Sequence, residues 1–152
     1  MSQEITDQKV IEKLLSEAQY LQLGLCKNDR PYIVPISFGY KKGFIYLHSS
    51  KTGTKMDILR SNGNVCFEVD CVHKTLHGDH PCSYNVKYQS IVGFGTATIL
   101  ENEPDIREGL QCLIDHYHTE EYCIDDLDIS RVTVIRIDIE ELHGKQNGMD
   151  EE

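Results

Sequence analysis

The first apolar positions of the chain, Ile5, Val10, Ile11, Leu14, Leu15 and Ala18, recur with a helical period and predict an amphipathic helix. Thr6 is the expected N-cap, although Lys9 rather than an acid stands at the capping-box position. After Tyr20 the period shortens to two. Leu21, Leu23 and Leu25 alternate with Gln22, Gly24 and Cys26, as in a half-buried strand. Lys27-Asn28-Asp29-Arg30-Pro31 reads as a turn. A second strand then runs from Tyr32 to Tyr40 with Ile33, Val34, Ile36 and Phe38. Lys41-Lys42-Gly43 turns it into a third, Phe44 to His48. Connections this short favour antiparallel pairing.

Thr52 to Arg60 predicts a short helix with Met56, Ile58 and Leu59 on its apolar side, stopped at Asn62-Gly63. Asn64 to Val72 follows as a fourth strand, and a polar loop rich in His, Asp and Gly runs to Ser83. Lys87 to Leu100 is a fifth strand, kinked near Gly93 and Gly95. Glu103 to Tyr117 reads as a long helix with Pro104 in its first turn and Ile106, Leu110, Leu113 and Ile114 on one face. Val132, Val134, Ile135, Ile137 and Ile139 make a sixth strand. The expectation is a mainly β fold. Six antiparallel strands with few edge protectors close into a small barrel with flanking helices. The alternating β–α order of a doubly wound sheet is absent.

The chain has 152 residues, enough for one core, and the expected organisation is one domain over 1–152. Its net charge of −10 argues against nucleic-acid binding, which needs a basic face, but leaves room for a local basic pocket. The N-terminal residues hold no apolar signal core, and no apolar run is long enough for a membrane span. That pattern points to the cytoplasm, where the six cysteines (26, 66, 71, 82, 112 and 123) would be reduced. There is no Cys-x-x-Cys pair.

The segment "HSSKTGTK", His48 to Lys55, holds the densest chemistry. Its Lys-Thr-Gly occurs in serine β-lactamases, but the required Ser-x-x-Lys is missing. The Walker spacing also fails. What remains is a general anion cradle. Ser49, Ser50, Thr52 and Thr54 offer hydroxyls, Gly53 allows close approach, and Lys55 stands in the first helical turn, where a cation is unfavourable unless an anion is present. The alternative is a solvated loop with a routine helix start. "CVHKTLHGDHPC", Cys71 to Cys82, offers three histidines, one aspartate and two cysteines, yet meets no standard zinc spacing. It reads either as a metal loop or as an exposed polar loop. His116 and His118, near a helix end, read as surface residues. Tyr88 and Ser90 share a strand face with Val92 and Phe94, lining a pocket or filling the wall.

Four stretches, "YIVPISFGY…GFIYLHSSKTGTKMDILRSNGNVCFEV", "PCSYNVKYQSIVGFGTATIL", "IREGLQCLIDHYH" and "IDIEELHGKQN", resemble the pyridoxamine 5′-phosphate oxidase-like split-barrel flavoproteins, in particular the nitroimidazole-resistance branch. The resemblance runs over roughly Ile11 to Asn147. It implies a six-stranded split barrel that forms a homodimer with FMN at the interface. By that likeness Val34, Pro35 and Ile36 run beside the flavin ring, and His48, Ser49 and Ser50 pass the ribityl chain and phosphate. Thr54 and Lys55 belong to the phosphate loop, with Lys55 its cation, and Tyr88 and Ser90 line the pocket. His48 matches a histidine beside the flavin and becomes the candidate proton donor, since imidazole titrates near neutral pH. The activity implied is a flavin-dependent reductase of a small molecule, fed by NAD(P)H. The alternatives are a pyridoxamine-phosphate oxidase, for which no Arg-rich C-terminal signature is seen, and a flavin or haem carrier or sensor. Two positions depart from the family. Thr54 stands where an arginine is common, leaving Lys51 or Lys145 to replace the lost cation. Tyr84 and Asn85 stand where Trp and Ser are common.

Overall fold

The computed structural model describes residues 2–117 and 124–149. Its strands and helices run β1 (Gln3–Ile5), α1 (Gln8–Glu17), β2 (Leu21–Lys27), β3 (Arg30–Ile36), β4 (Gly39–Lys41), β5 (Phe44–Ser49), α2 (Thr54–Ser61), β6 (Asn64–Leu76), β7 (Asn85–Ile99), α3 (Glu103–Tyr117) and β8 (Thr133–Asn147). The class is the expected one, but eight strands replace six.

One sheet holds seven strands in the order β3-β2-β6-β7-β8-β5-β4, and β1 adds to the far end of β8. All pairings are antiparallel. β3 and β4 lie at opposite ends of that order, yet only Ser37 and Phe38 separate them in the chain. So short a link spans at most about 11 Å, which a flat seven-stranded sheet exceeds more than twofold. The sheet must therefore roll until its two edges approach, and this makes a barrel left unpaired between β3 and β4. Leu21, Leu23, Leu25, Ile45, Leu47, Phe67, Ile91 and Ile137 fill its interior. Gly93 and Phe67 are register partners, and a Cβ on Gly93 would enter the Phe67 ring. The extra residue of β8 opposite Phe94 and Gly95 is Glu140, a bulge where the kink was expected. A second cluster, Tyr46, Leu100, Cys112, Leu113 and Val134, packs α3 onto the outside of β5 and β8.

Several sequence expectations are corrected. Asp7, not Thr6, caps α1, its carboxylate accepting from the Lys9 amide at 2.9 Å. Ile5 is in β1 and buries beside Ile11 over Gly144; contact with the same spot imitated a helical repeat. The Tyr32–Tyr40 strand is broken because the chain crosses the split at Ser37 and Phe38. There the Phe38 N–H donates to the Tyr117 hydroxyl at 3.0 Å and the Tyr40 N–H to His116 Nδ1 at 3.4 Å. His116 is accordingly no surface residue: its Nε2–H donates to the Ala18 carbonyl at 2.8 Å and its ring packs on Phe38. His118 and Cys123 lie outside the described residues. The final strand continues past Ile139 to Asn147, because β7 and β1 pair with its polar half. The polar segment after Val72 is strand as far as Leu76, held by β7 despite its exposure.

Candidate functional site

The loop after β5 is shaped by its own polar groups. Ser50 Oγ donates to the Thr52 carbonyl at 2.9 Å, and Gly53 at φ 116° occupies backbone space that favours glycine. α2 starts there without a side-chain cap, so its first N–H groups face outward. Lys55 is half-buried at this end. Burial lowers its pKa, and no carboxylate bonds to it among the described residues. Lys55 is thus a partly desolvated cation with no bonded counter-charge among the described residues.

Neighbouring charges separate the proposed substitutes for the missing arginine. Lys51 shares its field with Asp128, whose carboxyl is held low by hydrogen bonds from Ser130 and, more weakly, by the Lys51 charge. Lys145 pairs across strands with Ser90, far along β8. Arg60, unnoticed in the sequence, extends back along α2 and donates to the Lys51 carbonyl at 2.6 Å. It places a guanidinium on the loop itself. Its signal was simply a cation one helix length after the glycine.

Val34, Pro35 and Ile36 end β3, an edge strand whose second side carries no partner strand among the described residues. The next residue, Ser37, brings its Oγ to 3.5 Å from His48 Nε2. The ends of β3 and β5 and the α2 loop thus form one group. Tyr88 and Ser90 do not join it. Tyr88 pairs with Asn147 and His48 with Val134, so thirteen residue steps of β8 separate them, about 43 Å measured along the strand.

Tyr88 and Ser90 belong instead to the outer barrel face. Register aligns Ile33, Gly24, Cys66 and Phe94 across four strands, then Pro35, Gln22, Glu68 and Val92 in the next row. Ile33 is 67% and Phe94 43% exposed. Two carboxyls on this face were also missed: Glu68 and Asp70, alternate residues of β6. Burial, then the Asp70 charge and hydrogen bond, push the Glu68 pKa up to about 7. The i, i+2 spacing of two acids in a strand was the available signal. The Cys71–Cys82 ligands do not converge: His73 bonds Gln89 at 3.3 Å, His77 stacks on Tyr84, and no metal-type cluster occurs among the described residues.

The family profile described as pyridoxamine 5′-phosphate oxidase matches residues 7–146. The chain belongs to the pyridoxamine 5′-phosphate oxidase family. Solved members of this architecture agree. A Bacteroides thetaiotaomicron protein provisionally assigned to 5-nitroimidazole antibiotic resistance is 28% identical, with TM-score 0.81 over 95% of this chain and 87% of that one. A FAD-binding protein from Mesorhizobium loti is 21% identical, with TM-score 0.69 over 97% and 99%. The FAD- and haem-binding protein of Mycobacterium smegmatis is 16% identical, with TM-score 0.80 over 95% and 73%. No curated protein sequence matches. No described helix is long and apolar enough to cross a membrane.

Proposed function

We propose that this oxidase-family protein is a one-domain FMN-binding flavoprotein that reduces a small molecule as a homodimer. The observation that carries the reading is the division of the site. Lys55, the hydroxyl loop, His48 and the β3 edge stand at one end of the long strands, and Tyr88 and Ser90 at the other. One chain cannot close a pocket from both; two chains in two-fold contact can. Exposed Ile33, Val92 and Phe94 on the outer face supply apolar surface for that contact.

The residues fit a flavin phosphate. Lys55 and Arg60 would neutralise it, the Ser49 and Thr54 hydroxyls would bond its oxygens, Ser50 would hold the loop in shape through the Thr52 carbonyl, and the α2 N-terminus would add its dipole. The open edge of Val34 to Ile36 would hold the ring, and the partner's Tyr88 and Ser90 would exclude water from it. FMN, when bound, supplies two-electron chemistry between NAD(P)H and an acceptor. His48 would hand a proton to that acceptor, with Ser37 fixing the imidazole. FMN titration of the purified protein, read by its visible spectrum, tests the proposal. Saturable flavin bands with one FMN per chain are expected. A colourless protein after reconstitution refutes it, and a Soret band in place of flavin bands gives the site to haem.

A further inference from the structure

A separate cavity lies against the other side of His48. It measures about 320 Å³, at the small end of ligand sites. His48, Leu110, Leu113, Ile114, Tyr117, Leu127 and Val132 line it. His48 faces this way because it shares a β5 face with Tyr46, which packs under α3. Among the described residues, every lining side chain other than His48 is apolar except the Tyr117 phenol. The Tyr117 hydroxyl has spent its one proton, donating to the Gln19 carbonyl at 2.6 Å while accepting from the Phe38 N–H, so it has none left to donate to a ligand. His48 has its Nε2 beside Ser37 and no partner for Nδ1 among the described residues. The cavity therefore offers apolar walls and one free hydrogen-bonding atom.

We infer that this α3-side cavity binds the electron acceptor, and that the acceptor is a small planar apolar molecule with a conjugated carbonyl directed at His48 Nδ1. The inference rests on the flavin reading, since that reading places the redox group at the end of β5 where His48 stands. The apolar walls select a ring body, because a polar group pressed against them would lack a partner. A quinone meets both demands when one carbonyl faces His48 Nδ1 and the other faces the open mouth of the cavity. The overall change balances as NAD(P)H giving a hydride and the medium a proton, so that both quinone oxygens end as hydroxyls and the nicotinamide is oxidised. Leu110 and Ile114 would then set the acceptor's size.

The test is menadione titration by calorimetry, with 2-methylnaphthalene as the ring without carbonyls. In Ile114→Trp the indole fills the cavity, and menadione binding should weaken by about tenfold or more while circular dichroism and the flavin spectrum stay as in wild type. Leu110→Phe serves if the tryptophan variant does not fold. In His48→Phe the preference for menadione over 2-methylnaphthalene should drop about 3- to 10-fold. In turnover, Ile114→Trp should lose kcat/KM for menadione but not for ferricyanide, which needs no pocket. Wild-type affinity for menadione in both folded cavity variants overturns the inference. Absence of flavin bands in wild type overturns the flavin reading instead, and the menadione titration still judges the cavity.

Discussion

A site divided between two chains can be rebuilt from two damaged chains. Lys55→Met removes the phosphate cation, and Ser90→Trp plugs the wall contributed from the other end of the barrel. Ser90 pairs with Lys145, and Ser49, which leads into the Lys55 loop, pairs with Thr133; the twelve steps of β8 between those partners run about 40 Å, several times the reach of any side chain, so the two positions stand at opposite ends of the long strands. Each variant alone should form a dimer with both sites impaired. Unfolding the two together and refolding them at equal concentration gives mixed dimers as half the population. Every mixed dimer carries one site with both residues intact and one site with both altered. FMN binding should therefore return to about one quarter of the wild-type sites, with wild-type affinity. Sedimentation confirms that all species are dimers, and flavin absorbance after gel filtration counts occupied sites. If the mixture binds no more FMN than the two variants measured separately, the two groups do not meet across an interface and the divided site is wrong.

Lys55→Met alone should raise the FMN Kd about 10- to 150-fold, the loss of a charge-assisted hydrogen bond of about 1.5–3 kcal/mol. The flavin-free protein should not be destabilised, because Lys55 has no carboxylate partner and burial already lowers its pKa. Arg60→Ala should weaken FMN by about 0.5–1.5 kcal/mol by releasing the Lys51 carbonyl and removing a cation, read by the same titration. Glu68 is raised to about 7, so the folded chain holds its proton more tightly than the unfolded one. Its contribution is fully present below the ordinary glutamate range and is lost as pH rises through about 7. Glu68→Gln should flatten urea-derived stability between pH 4.5 and 7, by less than about 2 kcal/mol because solvent screens the half-exposed carboxyl. Gly93→Ala forces a methyl into the buried Phe67 ring and should cost about 1–3 kcal/mol in denaturant melts.

The local elements were legible wherever one face alone meets the core. β2 matches its apolar period residue for residue, and α3 matches its expected bounds, although it buries Gly109 and Cys112 beside Leu113 while Ile106, Leu110 and Ile114 are only partly covered. The β2–β3 hairpin was readable as a turn because Asn28 and Asp29, at φ 51° and 59°, are residue types that accept such a backbone. The segment from Val72 to Leu76 was not legible as strand. Its side chains are largely exposed, and only hydrogen bonds from β7 hold it extended. The same holds for the polar end of β8. His116 was missed for a related reason: its partners, Tyr40 and Ala18, lie 76 and 98 residues away.

By itself, then, the sequence determined which positions are buried, where the backbone turns, and which loop holds hydroxyls beside an unmatched lysine. These depend on residue type and near neighbours. The tertiary structure alone decided that the β3 and β4 edges approach across a two-residue link without pairing, that Arg60 returns to the Lys51 carbonyl, and that Tyr88 and Ser90 stand at the opposite end of the long strands from the Lys55 loop. Those facts depend on which strands become neighbours. That choice is made by the closure of the whole sheet around one core, and periodicity along the chain reports only that a position is buried, never against what.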